Sequence, residues 1–150
     1  ISSLCERAGN GAEGSGSITA FYTVLVEGDD PNDPVGDSAR SILDGHLVLS
    51  RRIADRGQFP AIDVAASVSR VMSAVMPPEL LTAAQQFKQL YNRLEESRDL
   101  LAIGGYRPGH DAELDRAVSL QPTINAFLCQ DMTNAVRFGE SVAALGQIVN

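Results

Sequence analysis

Several residues have types and spacings that could carry chemistry. Arg70 stands among apolar neighbours in SVSRVM (67–72). A guanidinium in such a place either pairs with a carboxylate such as Asp63 or is presented to an anion, a phosphate above all. Phe59 and Tyr106 are flanked by turn-forming residues rather than set in a helical stripe. Each is therefore either core or a platform for a planar ligand. Acidic residues crowd GDDPNDP (28–34), where Asp29, Asp30 and Asp33 stand with Asn32. Their spacing does not fit a calcium loop. They read as a solvated turn whose Asp caps the next helix. GNGAEGSGS (9–17) has the glycines of a phosphate cradle. A P-loop also needs Gly-Lys-Ser/Thr, because the Lys reaches the phosphates and the hydroxyl binds magnesium. The only lysine is Lys88, and it follows Phe87. The loop is therefore read as a connection into a strand. His46 and His110 have neither metal-ligand spacing nor a nucleophile partner, and no metal site is expected.

Composition narrows the classes. The chain has 150 residues and a formal net charge of -7. That length suits one domain with a real core, or parts of two. Duplex nucleic acid is a poor main partner for an acidic chain, since phosphate contacts want clustered cations. Cys5 and Cys129 lie far apart and make neither a disulfide framework nor a zinc site, so a reducing cytoplasm is expected. No apolar run approaches membrane-spanning length. The chain starts at Ile1 with no targeting signature near it, and a fragment of a longer protein is expected.

The elements that must position these residues change character along the chain. SITAFYTVLVE (17–27) is a nearly continuous β-favouring run, which predicts a strand buried on both faces of a parallel sheet. Helix is predicted over 37–44, strand over 46–50 and helix over 51–56, stopped by Gly57. That alternation is α/β grammar. From Pro78 onward no strand of useful length is predicted. Residues 79–103 carry an apolar stripe at three- and four-residue steps, broken once at Arg98, which predicts one long amphipathic helix. Pro77-Pro78 suits its start and Gly104-Gly105 its end. Asp111 is placed to cap a second helix from Ala112. Pro122 is expected to break or kink that helix, and a last short one is predicted over 140–149. The fold class is the tail of an α/β layer over 1–76 followed by a small all-α domain over 77–150.

Taken together, ERAGNG (6–11), GSITA (16–20), EGDDPNDP (27–34), ARSILDGHLVLSR (39–51), FPAIDV (59–64) and SVSRVM (67–72) resemble the export ATPases of the bacterial flagellum and of type III secretion systems. More distantly they resemble the catalytic subunit of rotary F-type ATP synthases. FKQL (87–90), RDL (98–100) and Gly105-Tyr106 with Gly109, Asp111 and Asp115 fit as well. Gly105, where injectisome relatives often carry an acidic residue, leans toward the flagellar branch.

The resemblance implies the late part of a P-loop ATPase core followed by its helical domain, in a hexameric ring around a coiled-coil stalk. It implies that Arg70 is a finger offered to the γ-phosphate held by the neighbouring subunit. It places Phe59 and Tyr106 around adenine, with Phe59 where the family usually has Tyr. It turns the loop of Asp29, Asp30, Asn32 and Asp33 toward the stalk. The implied cofactors are ATP and Mg2+, both held mainly by residues absent from this chain, which alone is expected to be inactive. The implied partners are identical subunits, the stalk, and export chaperones or substrates, in the cytoplasm at the inner-membrane export gate. Open beside this stand a virulence type III secretion ATPase, a helical module that binds chaperones or stalk without nucleotide, and a subunit of a rotary synthase.

Overall fold

A computed structural model describes residues 2–26, 28, 30 and 33–149. It divides into two compact units, with the division between His46 and Leu47.

The first unit holds α1 (Ser2–Cys5), β1 (Gly9–Asn10), β2 (Ser17–Ile18) and α2 (Pro34–Ile42). β1 and β2 pair antiparallel, with Gly9 opposite Ile18 and Asn10 opposite Ser17. The glycine-rich segment between them closes on itself. Gly11 N donates to the Gly16 carbonyl at 2.8 Å and Ser15 N to the Ala12 carbonyl at 2.8 Å. Gly14 and Gly16 sit at positive φ, where a side chain would be strained. The Tyr22 hydroxyl donates to the Leu4 carbonyl at 2.9 Å.

The buried strand predicted over 17–27 is not formed. Regular pairing stops at Ile18, and Phe21 and Leu25 are 91% and 93% exposed. A both-faces-buried strand exists only with strands beside it and helices above and below. Among the described residues no strand pairs with 19–26, so β propensity alone does not make the run a strand.

α2 begins three residues earlier than predicted. Asp33 is its N-cap: Asp33 Oδ1 accepts from Gly36 N at 2.7 Å, and Pro34 sits in the first turn. A capped start with Pro at the first helical position is a strong local signal.

The second unit is built on three helices. α5 (Pro78–Glu96), α7 (Ala112–Leu128) and α8 (Phe138–Val149) enclose its core. α5 contributes Phe87, Leu90, Tyr91 and Leu94, a spacing that puts all of them on one face. α7 contributes Ala117 and Ile124, and α8 contributes Ile148 and Val149. Phe87 and Phe127 meet edge to face, with ring centroids 5.2 Å apart. Ahead of these helices come β3 (Gly45–Leu49), α3 (Arg51–Ala54), β4 (Ile62–Ser69) and the single turn α4 (Met72–Val75). β4 was not predicted. It pairs with β3, and Val64 packs onto the helical core.

The predicted helix over 79–103 is two helices. Ser97 (φ -92°, ψ 3°) separates α5 from α6 (Arg98–Ala102). The break is slight, since Ser97 N still bonds the Arg93 carbonyl and Leu101 N the Ser97 carbonyl. Gly104 (φ 69°) then ends the run, with Gly105 N bonding back to the Leu100 carbonyl. Pro122 does not break α7, which runs on to Leu128. Proline removes one intrahelical bond, while Ala117 and Ile124, fully buried on either side, hold the helix on its path.

Candidate functional site

Arg70 follows the last residue of β4, in a bend before α4, and its side chain is exposed. The strand holds this end of the segment. Asp63 Oδ1 accepts from Ala66 N at 3.0 Å, and the Ser67 hydroxyl donates to the Asp63 carbonyl at 2.6 Å. Ser67 Oγ in turn accepts from Val48 N at 3.0 Å, tying β4 to β3.

Lys88 is engaged within the chain. Its ammonium donates to the Ser67 carbonyl at 3.3 Å, so it ties α5 to β4. The backbone N–H groups of Gly11 and Ser15 are engaged within their own hairpin. Among the described residues no three His, Cys, Asp or Glu side chains gather as a metal site would require.

Phe59 is 55% exposed and joins Pro60 through a cis peptide bond. Its carbonyl accepts from Gln130 N at 2.9 Å, which brings the α7–α8 connection beside it. That connection was not singled out in the sequence, because nothing in CQDMTNAV (129–136) marks it chemically.

Tyr106 follows Gly105, beyond the end of α6. It lines a cleft of about 440 Å³ together with Arg93, Leu100, His110 and Leu114. Its hydroxyl donates to Asp115 Oδ1 at 2.7 Å, and Gly109 N donates to Asp115 Oδ2 at 2.7 Å. The bond to Asp115 and partial burial push the phenol above its ordinary value of 10.0. Phe59 lines neither this cleft nor a second one of about 300 Å³, formed by Gln58, Tyr91, Glu95, Arg98, Gln121 and Asn125. Tyr91, Leu94, Glu95 and Arg98 point one way and Arg93, Glu96, Ser97 and Leu100 the other, so the clefts lie on opposite faces of α5–α6. The two aromatics are thus not brought into one of these clefts.

The loop of the first unit is partly visible. Asp29 and Asn32 lie outside the described residues. Asp30 supplies a carbonyl to Asp33 N at 3.2 Å, and the Asp33 carboxylate is the cap of α2.

Asp111 caps α7 as expected, with Oδ1 accepting from Leu114 N at 3.0 Å. Its other oxygen pairs with Arg93 across from α5. The Leu114 N–H first, and Arg93 second, hold its carboxyl below the usual 3.8. A carboxylate with a depressed pKa contributes stability that is present above the unfolded value and lost as pH falls through the folded one. Acid below about pH 4 should therefore loosen the start of α7. Asp111→Asn keeps an oxygen for the cap but loses the charge. Thermal midpoints followed from neutral pH into acid should show a shallower acid fall for Asp111→Asn than for wild type. Parallel curves would assign the acid loss to other groups.

Comparison with known proteins gives a consistent picture. Residues 1–69 match the ATP synthase alpha/beta family, nucleotide-binding domain. Residues 76–147 match the T3SS EscN ATPase C-terminal domain. The flagellum-specific ATP synthase of Pseudomonas aeruginosa is 52% identical over 97% of this chain and 32% of its own length. The assembled ATPase EscN of the enteropathogenic E. coli type III secretion system superposes with a TM-score of 0.86 at 43% identity, over 90% of this chain and 33% of its own. EscN in complex with its central stalk EscO gives a TM-score of 0.86 at 40% identity, over 98% of this chain and 34% of its own. The chain thus spans about a third of the length of the curated relatives it matches. No helix among the described residues is long and apolar enough to cross a membrane.

Proposed function

We propose that this chain, whose residues 1–69 match the nucleotide-binding domain of the ATP synthase alpha/beta family and whose residues 76–147 match the T3SS EscN ATPase C-terminal domain, works as part of a ring ATPase that drives bacterial protein export. The flagellar system is the first choice, since the flagellum-specific relatives reach 52% identity. Residues 1–76 belong to the nucleotide-binding core and residues 77–150 to the helical domain. The observation that carries the reading is Arg70, exposed at the end of β4 within SVSRVM.

In this reading Arg70 reaches the γ-phosphate of ATP bound by the neighbouring subunit. A guanidinium there neutralises the charge that develops on the transferred phosphoryl group. Phe59 offers a half-exposed ring to adenine, and Tyr106 gives a second aromatic contact through its ring, its hydroxyl being taken by Asp115. Mg2+ and the triphosphate are held by residues outside this chain. The loop from Asp29 to Asp33 faces a coiled-coil stalk, as the relative EscN has been solved with the stalk EscO. Identical subunits, that stalk, and export chaperones or substrates are the partners, and the ring sits in the cytoplasm against the inner-membrane export gate.

The test compares a full-length protein containing this sequence with the chain by itself. The full-length protein should hydrolyse ATP with magnesium. The chain should release no phosphate above the blank, because Lys88 is tied to Ser67 and no Gly-Lys-Ser/Thr is present. Turnover by the isolated chain would overturn this division of labour, and an inactive full-length protein would overturn the ATPase reading itself.

A further inference from the structure

Glu95 gathers three arginines around one carboxylate. Its side chain is only 16% exposed. Oε1 accepts from Arg98 Nε at 3.0 Å and from Arg98 Nη2 at 2.6 Å. Oε2 accepts from Arg56 Nη1 at 3.3 Å and lies 3.7 Å from Arg52 Nη2. Arg98 belongs to the next turn of the same helical run, so its contact is local. Arg52 and Arg56 come from α3 and the turn that follows it. Their contacts join stretches far apart in the chain.

That turn leads straight to Phe59. Arg56 N bonds the Ile53 carbonyl at 3.2 Å, Gly57 N bonds the Ala54 carbonyl at 2.8 Å, and Gly57 takes φ 76°. Ile53 is buried and anchors α3 from below. On the far side, the Phe59 carbonyl is held by Gln130 N. The backbone that carries Phe59 is therefore fastened at two places, to α5 through Glu95 and to the end of α7 through Gln130.

We propose that Glu95 is a positioning residue for adenine recognition, holding the α3–Phe59 turn against α5 so that the Phe59 ring faces the base of bound ATP. This rests on the reading of Phe59 as an adenine contact. A single exposed ion pair would hold little. Here a largely sheltered carboxylate serves three guanidiniums, and its removal leaves like charges converging at one spot without the carboxylate they share. The turn would then open, while the buried helical core would stay as it is.

The experiment is steady-state ATP hydrolysis by the full-length protein, with KM and kcat separated. Glu95→Gln should raise KM for ATP roughly three- to tenfold and leave kcat within about twofold. Glu95→Asp keeps the charge on a shorter arm and should recover most of the KM. Phe59→Ala should raise KM as well, and Glu95→Gln added to it should raise KM no further, since both act through one ring. An unchanged KM in Glu95→Gln, where Phe59→Ala raises it, overturns the positioning role and leaves the adenine reading standing. An unchanged KM in Phe59→Ala overturns the adenine reading and the positioning role with it. Equal loss of kcat and thermal midpoint in Glu95→Gln, with no recovery in Glu95→Asp, assigns Glu95 a plain structural role instead.

Discussion

Arg70→Ala should lower ATP turnover by the full-length protein by about 10³-fold or more, with nucleotide affinity nearly unchanged. The asymmetry follows from where charge appears. A ground-state triphosphate already has its counter-charges in magnesium and the phosphate loop. The transferred phosphoryl group needs more as it separates, and a finger supplies that increment only at the transition state. Arg70 is exposed at a strand end, so its loss leaves no cavity. An unchanged thermal midpoint would separate a fall in turnover from misfolding. Arg70→Lys should remain strongly impaired, because an ammonium offers a point charge in place of the planar fork.

The same variant can show whether the finger acts across an interface. Arg70→Ala subunits are mixed with subunits whose own phosphate loop is disabled. Neither is active alone. In a mixed ring some interfaces pair an intact phosphate loop with an intact Arg70, and those should regain activity. Regained turnover on mixing would establish action between subunits, and none would place Arg70 within its own subunit's site. Turnover of Arg70→Ala within a few-fold of wild type would return it to a structural role.

What could be read from the residues follows physical lines. Asp33, Asp111, Gly57 and Gly104 act locally, through caps and positive φ, and their elements stand where the sequence puts them to within a few residues. The stripe of Phe87, Tyr91 and Leu94 faces the core for the same reason, since helical periodicity is a local property. The strand over 17–27 failed because burial on both faces depends on neighbours, and β propensity contains no information about them. β4 was missed for the complementary reason: IDVAASVS carries two alanines and three polar residues, and it is a strand because β3 and α5 flank it. The Glu95 cluster was hidden by distance in sequence, although Arg52 and Arg56 at helical spacing, and Glu95 three before Arg98, were its signals. Arg70, Phe59 and Tyr106 were legible as unusual residues in turn contexts. What fixes them was not, because Tyr106 is held by Asp115 and the Phe59 carbonyl by Gln130, both distant in sequence or unmarked.

Ile124→Ala should cost the chain about 2–5 kcal/mol, the usual range for emptying a packed aliphatic site. Ile124 is fully buried, sits on α7 between Pro122 and Phe127, and meets the α5 face that carries Phe87, Leu90, Tyr91 and Leu94. Its surroundings are ill suited to collapse. α7 already lacks one hydrogen bond at Pro122, and a helix held on course by burial on both sides of the proline depends more than most on that burial. The cost should therefore fall in the upper part of the range. For a chain of this size the thermal midpoint would drop by about 5–15 °C, followed through the helical circular dichroism of the isolated chain. Ile103→Ala is the control. Ile103 is exposed after α6, and its loss should stay within about 0.5 kcal/mol of wild type. A small effect at Ile124 would mean that α7 is held by its cap and Arg93–Asp111 rather than by its core. Ile124 also lines the cleft that Glu95 and Gln58 share, so a milder Ile124→Val is informative. It should lower the midpoint modestly and leave KM for ATP alone in the full-length protein, since the arginine cross-link to the Phe59 turn does not pass through that methyl group.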